Sequence, residues 1–191
     1  MKKQYSYVLI LIGAVLLLSP SVLGTNLVIY NPTMINDADS KTGWIIAYEL
    51  QGVIATIDTV DFTQGTGSLS VSFTEVWPWG GYMQWYLGGQ MDYSVNSILA
   101  FDMKVSTTAI AMPNLQVQSY NGTAYDYAVY TLSFSTTNWE TKEINLATPA
   151  SGIINLNRVT FLKWWWTAAG VRTWKIDNVQ IGSSSPNPTP T

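Results

Sequence analysis

Short runs of β-forming residues, separated by Gly, Asn, Pro and Thr, fill most of this chain and limit the folds open to it. Their regular spacing predicts an all-β, single-domain β-sandwich of the jelly-roll type. No segment after the N-terminal region has a sustained helical period, which argues against an α/β fold. The predicted strands are Leu27–Tyr30, Trp44–Glu49, Val53–Asp58, Ser68–Glu75, Tyr82–Leu87, Ile98–Ser106, Leu115–Tyr120, Tyr125–Phe134, Trp139–Leu146, Arg158–Trp166 and Thr173–Ile181.

Residues 1–24 are typical of a secretory signal peptide. Lys2 and Lys3 precede an apolar run, Val8–Leu18, which Ser19-Pro20 ends. That run is shorter than the ~20 residues that a membrane-spanning helix needs. We therefore expect a secreted protein that begins near Thr25 and has no membrane attachment after cleavage; an uncleaved N-terminal anchor is the alternative.

The C-terminal residues 183–191 consist almost entirely of Ser, Thr and Pro. Such a segment cannot bury apolar surface and is typical of an extended linker between modules. We therefore expect a single monomeric domain over residues 25–182, and a linked catalytic module beyond the C-terminus. An ordinary frayed terminus is the alternative.

Histidine and cysteine are both absent from the sequence. Without histidine, the chain cannot form a serine–histidine triad or the usual zinc and copper sites. Without cysteine, neither disulfides nor thiolate metal sites can stabilise it, so packing or a bound ion must do so. The formal net charge of -3 and the lack of a basic patch exclude nucleic acid as an expected partner.

The chain has 9 Trp and 11 Tyr, more large rings than one small core normally holds. Some of these rings should lie at the surface, where apolar patches usually mark a binding site. Trp77 and Trp79 flank Pro78 between two predicted strands, and their flat faces would suit the C–H faces of a sugar. The alternative is that one of these two rings covers the edge of the core.

Strand alternation separates the three consecutive tryptophans of the run Arg158–Trp166. Trp165 must lie on one face of the strand, whereas Trp164 and Trp166 lie on the other. One of the two faces belongs to the core, and the other either meets ligand or is covered by a loop. We take Trp165 as the candidate ligand-binding indole.

The same alternation predicts a face of polar and aromatic side chains on three other strands. Donors and acceptors of this kind could satisfy the hydroxyl groups of a polysaccharide. An ordinary solvated face of a sandwich is an equally simple interpretation. The predicted groove residues are Tyr82, Gln84 and Tyr86, Asp102 and Lys104, and Gln116, Gln118 and Tyr120.

Four stretches along the chain resemble one protein family. They are Asn31–Asp37 with Gly43-Trp44, Gly65–Val71, Asn138–Leu146 and Trp174–Val179. In this order they resemble the β-jelly-roll carbohydrate-binding modules of the galactose-binding-domain-like superfamily, some of which bind β-glucans and cellulose. Ile35 and Asn178 depart from the pattern, which usually has an aromatic residue and a second aspartate there. The resemblance implies non-catalytic binding of a β-glucan, cellulose or xylan on one sheet.

The resemblance also implies a structural calcium ion that joins the first and last strands. Ca²⁺ takes six to eight oxygen ligands, so several carboxylates or carbonyls must converge. The candidates are Asp37 and Asp177, with Asp39 as a further acid and Ser68 or its neighbours supplying carbonyl oxygens. Solvated acids in turns are the alternative interpretation.

Two other functions stay open at this point. An extracellular adhesion domain would use its aromatic patch to bind protein, and a small glycosidase or lyase would use acidic residues for catalysis. Glycosidases usually need two carboxylates that flank the scissile bond. Glu140 and Glu143 are close in sequence, but their spacing places them on opposite faces of a strand. We therefore expect a binding protein and no enzyme.

Overall fold

The computed structural model describes residues 29–47, 52–73, 81–108, 113–166 and 171–184. The predicted signal segment, the loop with Trp77 and Trp79, and most of the predicted linker lie outside these residues. No helix in the described part is long and apolar enough to cross a membrane.

Within these ranges, twelve strands form two antiparallel sheets, which confirms the predicted all-β sandwich. Sheet A contains β1 (Ile29–Asn36), β3 (Val53–Asp58), β4 (Ser68–Phe73), β6 (Ile98–Val105), β9 (Glu140–Asn145) and β12 (Arg172–Ser184). Sheet B contains β2 (Trp44–Ile46), β5 (Gly81–Met91), β7 (Asn114–Tyr120), β8 (Tyr125–Thr131), β10 (Ser151–Gly152) and β11 (Val159–Trp166). The strand orders are β3-β4-β12-β6-β9, with β1 also on β12, and β10-β8-β7-β11-β5-β2.

The hydrophobic core lies between the inner faces of the two sheets. Along β7 and β11, buried and partly exposed residues alternate, as the period of a half-covered strand requires. Trp164 is fully buried, and its ring meets Phe101 of sheet A edge-on at 5.3 Å between centroids. Trp166 is also buried, so Trp164 and Trp166 face the core and Trp165 faces outward.

The two ends of the fold differ from the predicted strand bounds. The first strand continues through Pro32 to Asn36, because β1 lies at the edge of β12 and its pairing is shifted between Tyr30 and Thr33. Proline is tolerated at such an irregular edge, since no ladder hydrogen bond is lost there. At the other end, β12 extends to Ser184, two residues into the predicted linker. The two-residue β10 has no β-rich signal and was not predicted.

Candidate functional site

The outer face of sheet B carries a dense set of rings and polar side chains. Four neighbouring strands contribute to it, and alternation sends every second residue of β5, β7, β8 and β11 away from the core. We call this surface the aromatic face. Its residues are Tyr82, Gln84, Tyr86, Gln116, Gln118, Tyr120, Tyr125, Tyr127, Phe161, Lys163 and Trp165.

At one end of this face, aromatic rings form a continuous strip across the strands. Ring centroids are 5.0 Å apart for Tyr86 and Phe161, 5.9 Å for Phe161 and Tyr125, and 5.1 Å for Tyr125 and Tyr120. With neighbouring strands ~4.8 Å apart, four strands give this strip a length of roughly 14 Å. Tyr86, Tyr125 and Tyr127 are each about half exposed, at 47%, 54% and 52%, so their rings are accessible to a ligand.

Trp165 and Tyr82 lie at the other end of the face. They are directly opposed residues of β11 and β5. Trp165 is partly buried, and its indole N–H is enclosed without a hydrogen-bond partner in the described part of the chain. The Tyr82 ring also receives the ammonium group of Lys163, whose nitrogen lies 4.5 Å from the ring centroid.

A polar row separates the two groups of rings. The strand register places Lys163 between Gln84 on β5 and Gln116 on β7. The side chain of Gln118 donates from Nε2 to Oε1 of Gln116 over 3.0 Å, which fixes both amides on the face. Burial lowers the pKa of Lys163 from its usual value. The face therefore offers flat rings at both ends and hydrogen-bonding groups between them.

The structure brings most of the predicted groove residues to this single face. They are Tyr82, Gln84, Tyr86, Gln116, Gln118, Tyr120 and Trp165. Sequence reasoning missed Phe161, Lys163, Tyr125 and Tyr127. Phe161 and Lys163 share the parity of Trp165, and the two tyrosines alternate along their strand, so the same parity argument could have found all four. Trp77 and Trp79 lie outside the described residues.

The prediction that Asp102 and Lys104 share this face is wrong. Both belong to β6, which lies in sheet A between β12 and β9, so their outward side chains point away from the aromatic face. Asp102 is buried and accepts hydrogen bonds from the hydroxyls of Thr63 and Thr141, each over 2.6 Å. Lys104 forms an ion pair with Asp61 over 2.8 Å. Strand parity identifies the outward side chains of a strand but does not identify its sheet.

The loop of residues 59–67 covers part of the outer face of sheet A through Asp61. Its carboxylate accepts hydrogen bonds from Lys104 and Lys175, and from the indole N–H of Trp139 over 2.7 Å. The bonds to Lys104 and Lys175 hold the pKa of Asp61 well below its usual range. Asp58, the last residue of β3, pairs with Lys175 over 2.7 Å. These contacts join the loop to the lysines of β6 and β12.

The predicted calcium ligands have other partners in the structure. Both carboxylate oxygens of Asp177 are occupied, since Oδ2 accepts from the backbone N–H groups of Thr63 and Gln64 and Oδ1 accepts from that of Asn178. Ser68 donates its hydroxyl to a backbone carbonyl, and Asp37 accepts from the backbone two residues on. No three acidic side chains within the described ranges converge to hold a metal. The described acidic side chains alone therefore do not form a calcium site, and the ion stays a prediction from the resemblance.

The described part of the aromatic face contains no carboxylate. Asp126 lies on β8 between Tyr125 and Tyr127, so alternation directs its side chain away from the aromatic face. It lies opposite Ser119 and accepts a hydrogen bond from Asn121. Glu140 is also occupied, because it binds Lys142 and two backbone N–H groups. The paired carboxylates that glycosidases usually need are therefore not found on the described surface of sheet B.

Comparison with known proteins identifies the fold. No protein-family model and no curated protein matches the sequence. Among solved structures, the chain is similar to the family 11 carbohydrate-binding module of Clostridium thermocellum in complex with a β-1,3-1,4-mixed-linked tetrasaccharide. The TM-score is 0.60 at 18% identity, over 82% of this chain and 98% of that chain.

Two further solved structures extend the comparison. A family 30 carbohydrate-binding module matches with a TM-score of 0.60 and 15% identity, over 84% of this chain and 91% of that chain. An exo-β-agarase matches with a TM-score of 0.61 and 13% identity, over 81% of this chain but only 25% of the agarase. The chain thus has the β-jelly-roll fold of carbohydrate-binding modules, as its sequence predicts.

Proposed function

We propose that this chain is a non-catalytic module that binds a polysaccharide on its aromatic face. The observation that carries the proposal is the strip of Tyr86, Phe161, Tyr125 and Tyr120, next to a row of amide side chains on the same sheet. The β-glucan, cellulose and xylan classes fit such a flat surface. The similar family 11 module was solved with a mixed-linked β-glucan tetrasaccharide, which supports the β-glucan class.

Binding requires no chemical step. The rings would stack on the C–H faces of successive sugars, and Gln84, Gln116 and Gln118 would exchange hydrogen bonds with hydroxyl groups. Each aromatic contact contributes roughly 0.5–1.5 kcal/mol, against several kcal/mol of lost rigid-body freedom. We therefore expect dissociation constants on the order of micromolar to millimolar.

We propose further that the module acts outside the cell. The N-terminal segment has the features of a secretory signal, and the C-terminal segment has those of a linker. A linked catalytic module would gain from the local concentration that a weak binding module provides. The match to one quarter of an agarase chain agrees with a domain of this fold that forms part of a larger enzyme.

Affinity electrophoresis of the folded domain tests the proposal. The gels would contain hydroxyethylcellulose, mixed-linkage β-glucan, xylan or mannan, and we expect retardation in at least one of them. The variant Tyr86→Ala/Tyr125→Ala removes two half-exposed rings and should weaken binding roughly tenfold or more. Because both rings contact Phe161, we expect a modest fall in the melting temperature, with the protein still folded at the temperature of the assay.

Tyr30→Ala is the matched control. Tyr30 is 48% exposed but lies on β1, in the other sheet, so its removal should leave retardation unchanged. Undiminished binding by the double variant would contradict the aromatic face as the site. Uniform mobility of the wild type in all gels would contradict polysaccharide binding and favour a protein partner.

A further inference from the structure

Among the residues that the structure describes, Lys163 has no acidic partner, unlike the three paired lysines of the opposite sheet. Lys104, Lys142 and Lys175 each form an ion pair with an aspartate or a glutamate. Lys163 lies on the central strand β11 of the aromatic face. Its ammonium group contacts the ring of Tyr82 in a cation–π interaction. The described part of this face thus has one formal charge, and that charge is positive.

Burial already acts on this ammonium group. The neighbouring side chains remove part of its hydration, which lowers its pKa. A ligand lying across sheet B would exclude the remaining water, and the burial of an unpaired charge is costly. A neutral hydroxyl can accept a hydrogen bond from the ammonium group but cannot balance its charge. A carboxylate or sulfate group does both, and such charge-assisted hydrogen bonds are roughly twice as strong as neutral ones.

The neighbouring amides add further donors. Gln116 uses its Oε1 to accept from Gln118 and therefore keeps its amide N–H₂ group for a ligand. The strand register places Gln116 on one side of Lys163 and Gln84 on the other. Amide N–H groups beside an ammonium group form a donor-rich row, which suits the oxygens of an anion better than those of a neutral sugar.

We propose that the aromatic face selects a polysaccharide that carries anionic groups, uronate carboxylates or sulfate esters, with one such group bound at Lys163 between Gln84 and Gln116. This inference rests on the proposed function and specifies its substrate class. The formal net charge of -3 would repel anions in general, so the net charge of the chain does not explain such a preference. The selectivity would instead be local to this lysine.

The test compares neutral and anionic polysaccharides that share a backbone. Hydroxyethylcellulose, carboxymethylcellulose and cellulose sulfate form one set, and linear xylan and glucuronoxylan form another. We expect the wild type to bind an anionic member roughly tenfold more tightly than its neutral counterpart, with a preference that shrinks as salt is added. Comparison of the carboxymethyl and sulfate derivatives distinguishes the two anionic groups.

Three variants assign the preference to Lys163. Lys163→Met should reduce the ratio of anionic to neutral affinity to about one, whatever its effect on the neutral affinity, whereas Lys163→Arg should keep the ratio. Lys41→Met makes the same change in net charge on an exposed loop and should leave the preference intact. Equal affinity for neutral and anionic members, or a preference that survives Lys163→Met, would overturn this inference and leave the proposed function standing. Absence of binding to every polysaccharide would overturn both.

Discussion

Asp61 accepts hydrogen bonds from three side chains on the outer side of sheet A. Its Oδ2 accepts from Lys104 over 2.8 Å and from Lys175 over 2.6 Å, and its Oδ1 accepts from Trp139. The three donors come from β6, from β12 and from the segment just before β9, whereas Asp61 itself lies in the loop after β3. One side chain therefore joins a loop to three neighbouring parts of the sheet.

We expect Asp61→Asn to destabilise the protein. The substitution removes the negative charge that holds two ammonium groups, and hydrogen bonds to charged groups contribute about 1.5–3 kcal/mol each at most sites. Because Asp61 is partly exposed, we expect a loss of about 1–3 kcal/mol in the free energy of unfolding, measured by urea denaturation.

Asp92→Asn is the matched control for that experiment. Asp92 also sits in a loop, but it accepts only from the backbone and hydroxyl of Ser94 and is exposed. Its substitution should change the denaturation midpoint little. An equal effect of the two substitutions would contradict the role given to Asp61.

At the scale of the element, β12 has a bulge next to Asp177, which lies directly opposite Asp102 of β6. Its pairing with β6 is shifted between Asp177 and Gln180, and Asn178 in this bulge has a positive φ of 52°. Asparagine tolerates this left-handed conformation better than most residues. The Asn178 backbone N–H donates to Asp177, and its side chain donates to Asp102 over 3.1 Å. The bulge thus supplies donors to both buried carboxylates.

Asn178→Ala and Asn178→Gly separate the two contributions of this residue. Both variants lose the side-chain hydrogen bond to Asp102, but only alanine also meets the steric cost of a positive φ. We therefore expect the alanine variant to be less stable than the glycine variant by about 1 kcal/mol, as measured by thermal or urea unfolding. Equal stabilities would show that the backbone conformation contributes nothing here.

At the scale of the whole molecule, the two sheets have separate tasks. The outer face of sheet B presents accessible rings and Lys163, whereas the outer face of sheet A is crossed by ion pairs that hold a loop in place. On the acid side, stability should therefore respond to pH chiefly through the carboxylates of sheet A and its loop.

We expect stability to be highest between about pH 5 and 9 and to fall on both sides. The pKa of Asp58 is lowered chiefly by its bond to Lys175, and that of Asp61 by its bonds to Lys104 and Lys175. Near pH 4, where unfolded aspartates titrate, the unfolded state therefore binds more protons, and stability is lost as the pH falls further. For Lys175, burial lowers the pKa, but the bonds to Asp58 and Asp61 outweigh it and raise the pKa overall. Its contribution is therefore complete below about pH 10 and is lost as the pH rises through the raised value.

Melting temperatures measured from pH 2.5 to 11 test this profile. Asp61→Asn removes a carboxyl group whose pKa is strongly lowered, so the melting temperature of the variant should fall less steeply with acid than that of the wild type. Parallel acid limbs for the two proteins would contradict the assignment of acid sensitivity to Asp61.

The sequence by itself determined the fold class, the approximate positions of most strands and the two faces of each strand. These are local properties, because alternation has a period of two residues and turn residues mark the strand ends. Strand alternation in the sequence therefore placed Trp165 on the opposite face from Trp164 and Trp166, and placed Gln116, Gln118 and Tyr120 on one face.

Only the tertiary structure decided which strands are neighbours and which of the two faces is the core. Pairing depends on hydrogen bonds between segments that are far apart in sequence, and nothing within a strand specifies its partner. For this reason parity alone wrongly grouped Asp102 with the residues of the aromatic face, whereas the pairing of β5, β11, β7 and β8 brought Tyr86, Phe161 and Tyr125 into one strip. The same long-range pairing places Lys163 between Gln84 and Gln116 on this face.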